Sequence, residues 1–237
     1  MPVAEPGVGV ETVDLATTPL RELNARLHGA GGAGIASRWR VVHPHGAHAV
    51  AVGIDAEIEV DVDGHVGYYC AGMNQLATVR VHGNAGVGLA ENIMSGTVCV
   101  DGYAGQSCAA TGRGGLVVVQ GDASARCGIS MKGVDIVVRG SVGHMSAFMA
   151  QTGRLVVCGG AGEALGDSIY EARLYVRGSI ASLGSDCVAK EMRSEHHKEL
   201  EYLLKAAGFE GDDTAAYTRY GSARNLYHFH VDNASSY

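Results

Sequence analysis

The sequence predicts an all-β fold, a right-handed parallel β-helix of about seven 19-residue coils with a short N-terminal helix and a C-terminal helix plus tail. Three observations carry this expectation. Seven glycines, Gly64, Gly83, Gly102, Gly121, Gly140, Gly159 and Gly178, stand 19 residues apart without slippage. Two residues before each stands valine (Val62, Val81, Val100, Val119, Val138, Val157, Val176), and four before it Val60, Val79, Val98, Val117, Ile136, Leu155 or Leu174. Such alternation marks a strand with one buried face. Three residues after each glycine a small residue recurs, as Gly67, Gly86, Gly105, Ser124, Gly143, Gly162 and Ala181.

A fixed period of this size means one unit stacked many times, because a single unit cannot bury its apolar face alone. Nineteen residues are too few for strand, helix and two loops. They suit one β-helix coil, and seven coils at the spacing of hydrogen-bonded strands make a rod roughly 30 Å long. Glycine suits the corners on two grounds: it accepts positive φ, and it lets identical turns stack closely. Hexapeptide and nonapeptide solenoids advance about 18 residues per coil, and leucine-rich repeats need a leucine-dense consensus. Neither matches this chain.

Taken in order, residues 1–10 read as an unstructured arm. Pro19 opens PLRELNARLH, a short helix with leucines at 20, 23 and 27 and Thr18 as a candidate cap. GAGGAG at 29–34 formally matches a dinucleotide fingerprint, but it follows a helix and leads into the strand-like WRVV, the reverse of the required context. Residues 1–57 thus read as arm, helix and an irregular end cap, and 58–188 as the β-helix. In the remainder, 189–237, a helix from Lys190 to Gly208 carries the stripe Leu200, Leu203, Leu204 and Ala207, with Gly208 as its C-cap. It is expected to cover the other end or one side of the rod. The tail beyond it spaces Tyr217, Tyr220, Tyr227 and Phe229 through a polar stretch, as a docking arm would.

A formal charge of −7 argues against nucleic acid, which needs a basic face. Neither a cationic leader nor a membrane-length apolar run is visible, so the expected compartment is the cytoplasm. The six cysteines include no closely spaced pair of the metal-binding kind. Cys70, Cys108 and Cys127 share one column, in which Cys108 and Cys127 are within reach of a disulfide but read best as reduced core residues. His43, His45 and His48 are grouped and His228 and His230 alternate, a pattern read as surface or end cap over a metal site. Asp63, His82, Asp101, Gln120, Arg139 and Arg177 form the outward, solvated side of the ladder. No catalytic, cofactor-binding or metal residue is expected on this chain.

One outward column is unusual. It runs Asp61, Arg80, Cys99, Val118, Val137, Val156, Tyr175, so a polar start gives way to an apolar strip that needs covering. Either the C-terminal helix or another protein covers it; a partner subunit is the expected cover, with Val118, Val137, Val156 and Tyr175 as its contact residues and Tyr217, Tyr220, Tyr227 and Phe229 as a second contact.

GYAGQSCAATG at 102–112 and GDASARCGISMKGVDIVVRG at 121–140 resemble repeat units of the glycine-rich β-helix domain that ends the glutamate synthase large subunit. The resemblance covers roughly Ile58 to Cys187, plus PLRELN upstream. The repeat is also similar to the C subunit of formylmethanofuran dehydrogenase and of the bacterial formyltransferase/hydrolase complex. GDSIYEARLYVRG, GSDCVAKEMR and RYGSARNLYHF look most like the free-standing version found beside separate amidotransferase-like and FMN-barrel subunits, as in N-methylglutamate synthase. That resemblance implies a non-catalytic subunit that braces a glutamine amidotransferase-like partner and an FMN-binding glutamate synthase-like partner, the FMN and an iron-sulfur cluster residing on the latter. The formyl-transfer scaffold is one alternative. The other is a self-assembling structural solenoid, against which the expected helices at both ends argue.

Overall fold

The computed structural model describes residues 9–31 and 36–226. Eleven strands form one sheet in the order β1-β2-β3-β4-β5-β6-β7-β8-β9-β11-β10. The regular part runs from β3 (Glu59–Asp63) through β4 (Thr78–Val81), β5 (Thr97–Val100), β6 (Leu116–Val119), β7 (Lys132–Val138) and β8 (Thr152–Val157) to β9 (Arg173–Val176). Each pairs in parallel with the next, so that Val60 faces Val79, Val98 faces Val117 and Leu155 faces Leu174. Both valine columns point inward and are at most 2% exposed. Single parallel bridges, Val66 to Ala85 to Ala104 and on to Ile180, tie the coils together a second time just past the corner. This is a parallel β-helix.

The sheet begins upstream of the strict period. β1 (Val10–Asp14) pairs with β2 (Arg38–Val42), and β2 pairs with β3, in parallel. Val10 faces Arg38, 28 residues on, and Arg38 faces Glu59, 21 residues on, so both coils fall outside the repeat arithmetic. The first contains α1 (Leu20–His28), which buries Leu23 and Leu27 in the main core. Its N-cap is Pro19, in place of Thr18, and Pro19 has no side-chain hydroxyl to bond the first turn. Asn24 donates to the Ala49 carbonyl (2.8 Å) and accepts from the Ala51 N–H (3.0 Å). In later coils that N–H bonds back to the preceding coil, as Ala90 does to Cys70 and Ala109 to Leu89. Asn24 therefore stands in for a coil that does not exist, closing the N-terminal end of the ladder.

The repeat glycines are at the corners for one of the two expected reasons. Gly64 has φ +132°, but none of the other six has positive φ. What excludes a side chain is stacking: the Gly121 N–H bonds the Gly102 carbonyl at 2.9 Å, and the Gly140 N–H bonds that of Gly121 at 3.0 Å. A Cβ at Gly121 would lie 2.8 Å from the Gly102 oxygen, and one at Gly83 2.6 Å from the Gly64 carbonyl. Positive φ falls instead on non-glycine columns along the return path, such as Ser107 (60°), Ala109 (53°) and Thr111 (56°). Such residues cost on the order of 1 to 3 kcal/mol each unless their surroundings hold them. Here alternating hydrogen bonds do so: Ser107 N–H to Ala125 of the next coil, Ala109 N–H to Leu89 of the preceding one, Thr111 N–H to Ile129 of the next.

The C-terminal end is closed differently. β11 (Thr218–Ser222) runs antiparallel against β9, and β10 (Cys187–Lys190) runs antiparallel against β11. The returning chain thus takes the place of an eighth regular coil. Between β10 and β11 lies α2 (Ser194–Ala206), shorter at its N-terminal end than the expected 190–208. Its end is a Schellman motif: Gly208 (φ +78°) bonds the Lys205 carbonyl at 3.0 Å and Phe209 bonds that of Leu204 at 2.8 Å.

Candidate functional site

The outward face of the sheet divides into two halves of different chemistry. On the C-terminal half, α2 lies on the apolar strip. Leu200, Leu203, Leu204 and Ala207 pack with Val118, Val137, Val156, Tyr175 and Cys158, joined by Phe209 and Tyr217 from the chain that follows the helix. The expectation that a partner covers this strip is corrected: Val137, Val156 and Tyr175 are fully buried within the chain itself. Adding one amphipathic helix of the same chain buries both stripes at no cost in association entropy, which a partner would have to offset.

Two carboxylates fasten this cover. Glu199 on α2 accepts from the Tyr175 hydroxyl (2.5 Å) and pairs with Arg154 (3.3 Å) and Arg173 (3.2 Å). Asp212 pairs with Arg139 (3.0 Å) and Arg177 (3.4 Å) and accepts from the Tyr217 hydroxyl (3.1 Å). Burial opposes ionisation of Asp212, but the hydrogen bonds from Arg139 and Tyr217 outweigh it, and its carboxyl lies below the usual range. Arg154 also forks onto Asp135 (2.5 and 2.6 Å), where burial wins and lifts that carboxyl above its usual range. Arg139 and Arg177, expected to be merely solvated, are thus anchors, with their guanidinium groups over Phe209 (4.9 Å) and Tyr217 (6.0 Å).

The N-terminal half is uncovered and charged. Arg40 pairs with Asp63 (2.6 Å), and Glu59 lies near Arg38 (3.5 Å) and Arg80 (3.8 Å). His82 bridges Asp101 (2.8 Å) and Asp61 (2.7 Å), and hydrogen bonds to these two carboxylates raise its pKa above the usual histidine value. On the return path of the same half, large apolar side chains stand exposed: Tyr68, Met73, Leu76, Val87, Met94 and Tyr103. These six lie between residues 68 and 103; the other exposed large apolar side chains among the described residues are spread from Val10 to Leu226.

The tail residues fare unequally. Tyr217 belongs to the helix-covered cluster and Tyr220 packs on the main core from β11, so both dock on their own chain and not on a partner. Tyr227, Phe229, His228 and His230 lie outside the described residues. His43 pairs with Asp14 (2.9 Å) and stacks on His45, while His48 stacks on Tyr68 at 4.3 Å. Among the described residues no group of three or more His, Cys, Asp or Glu side chains converges on a metal position. The six cysteines are free. Burial pushes the Cys70 and Cys187 thiols up to about 12, and Cys127, hydrogen-bonded to Cys108, is also raised. No described helix is long and apolar enough to cross a membrane.

Glu199, Asp212, Arg154 and Arg173 were not legible as a cluster, because nothing in their spacing links residues on separate coils to a helix beyond the repeat. No family model matches the chain, and no solved structure matches it at a significant level. The curated Protein GlxC of Rhizobium meliloti (strain 1021) is 60% identical over 225 residues, covering 95% of this chain and 99% of the relative. At that identity over nearly the whole of both chains, this protein belongs to the same family as GlxC.

Proposed function

We propose that this chain is the non-catalytic β-helix subunit of a cytoplasmic glutamate synthase-like complex, most specifically an N-methylglutamate synthase. In that complex methylamine and L-glutamate give N-methyl-L-glutamate and ammonia. The chain braces a glutamine amidotransferase-like subunit against an FMN-binding subunit, which carries the flavin and an iron-sulfur cluster. The observation that supports this reading best is the set of repeat units that resemble the glutamate synthase β-helix domain, in a chain related over nearly its full length to GlxC and folded as a rod whose outward face is sealed on one half and open on the other. The open half combines a charged ladder with exposed Tyr68, Leu76 and Tyr103, the mixture of an apolar centre and polar surround that protein interfaces use.

Co-expression of a tagged copy with the two candidate partners tests this. The expected result is a three-chain complex whose flavin absorption is absent from the tagged chain purified alone. Separate elution of the three, or a stoichiometric yellow chromophore on this chain by itself, contradicts the reading. Co-elution with a metal-dependent amidohydrolase-like subunit in their place would favour the formyl-transfer alternative.

A further inference from the structure

A cleft of about 610 Å³ opens where α2 begins, between it and the end of the sheet at β9, β11 and β10. Its size lies within the range of small-molecule pockets, but its lining is overwhelmingly polar. Arg173, Lys190, Arg193, Arg219 and Arg224 all line it, five of the 18 lysines and arginines in a chain of net charge −7. The antiparallel return brings them together from three strands and the connections beside them. The guanidinium groups are only partly engaged: Arg173 meets Glu199 (3.2 Å), Arg193 meets Glu191 (3.0 Å), Arg224 meets Glu171 (2.9 Å), and Arg219 donates to the Glu191 carbonyl (3.0 and 2.9 Å). Each guanidinium has five N–H donors, so most remain available. Lys190 makes no ion pair among the described residues.

Two further features point into the same cleft. Arg193 is the N-cap residue of the 13-residue α2, so the positive end of the helix dipole faces the cleft. His196, also lining it, is 8% exposed. Its Nδ1 accepts the Arg193 N–H at 3.1 Å, which leaves the proton on Nε2, and that nitrogen has no partner among the described residues. Burial first, and the charge of Arg219 second, hold its pKa below the usual histidine range. A largely buried imidazole whose Nε2–H opens to the cleft, surrounded by cationic side chains at a helix N-terminus, favours an anionic ligand.

We infer that this cleft binds a small ligand through an oxyanion group, a carboxylate or a phosphate, held by Arg193, Arg219 and Lys190 and by the His196 Nε2–H. The site goes beyond the scaffold role and stands or falls apart from it. The test is titration of the purified full chain with inorganic phosphate and, separately, succinate, followed calorimetrically and by the histidine ring NMR signals. Saturable binding of either probe that shifts the His196 signals is the expected result, and which probe binds tells phosphoryl from carboxylate recognition. Lys190→Gln, at a half-buried position, and Arg193→Gln, at an exposed one, should each weaken binding about tenfold, the scale of a charge-assisted hydrogen bond. Arg113→Gln, at a residue that does not line the cleft, should leave it unchanged. His196→Phe, which keeps a ring but removes the donor, should also weaken it while the chain stays folded by circular dichroism. Absence of saturable binding of both probes, or equal weakening by Arg113→Gln, overturns the proposal.

Discussion

One methyl group separates a repeat glycine from an alanine, and at Gly121 it has nowhere to go. Its Cβ would meet the Gly102 carbonyl oxygen and the Tyr103 ring, each at 2.8 Å, whereas a Cβ at Gly29 meets nothing within 4 Å. Gly121→Ala is expected to cost about 3 kcal/mol and lower Tm by about 6 to 12 °C, while Gly29→Ala stays within about 0.5 kcal/mol. Comparable melting curves for the two would contradict direct coil-on-coil stacking. The glycine column was legible in the sequence, but its reason was only half so. Positive φ belongs to Tyr69, Ser107, Arg126 and Met145, residues whose types give no sign of it. His82 gives a second prediction at this scale. Its pKa is raised in the folded chain, so the stabilisation from Asp101 and Asp61 is complete below the unfolded histidine value. It is lost as pH rises through the folded value. The three side chains are exposed enough for solvent to screen the pair strongly, so the change in stability is small. NMR titration should place the His82 midpoint above 6.5, and Asp101→Asn should move it down. A midpoint unmoved by that change would remove the bridge.

Among the elements, α2 and the strip beneath it show what a linear pattern conveys. The stripe Leu200, Leu203, Leu204 announced the helix, and Val118, Val137, Val156 announced a face needing cover. That this helix lies on this face was one of two covers the sequence allowed, and nothing in the spacing decided between them, because the helix lies outside the repeat; Gly208 and Phe209 then turn the chain so that β11 returns to β9. The same holds for α1, whose leucines were visible but whose Asn24 gives no hint that it replaces a coil. Val137→Asp would leave a carboxylate buried under α2, at a cost of at least about 3 kcal/mol. The isolated chain should therefore lose stability, with faster hydrogen exchange along Ser194–Ala206. Leu203→Asp should reproduce the effect from the helix side, and the double variant should lose less than the sum, because the two residues belong to one buried cluster. An unchanged melting temperature for Val137→Asp would return the strip to a partner.

At the scale of the whole molecule, each end of the rod is closed by its own device: a side-chain amide at the first coil and an antiparallel strand at the last. The antiparallel strand breaks the parallel register that end-to-end stacking of coils needs, which argues against the self-assembling solenoid. The stacked class was legible because nineteen-residue spacing constrains every coil alike, whereas β1 escaped notice and β2 was read only as a strand-like stretch of an irregular end cap, because their coils are longer. What remains uncovered is the charged and apolar N-terminal half, the surface on which the scaffold role rests. The most direct test of that role is the rate of N-methyl-L-glutamate formation from methylamine and L-glutamate by the reconstituted amidotransferase-like and flavin-bearing chains, with and without this one. The account predicts no turnover from this chain alone, and a drop of about 100-fold when it is left out, the scale of lost positioning. An equal rate without it, or turnover by this chain in isolation, would contradict it.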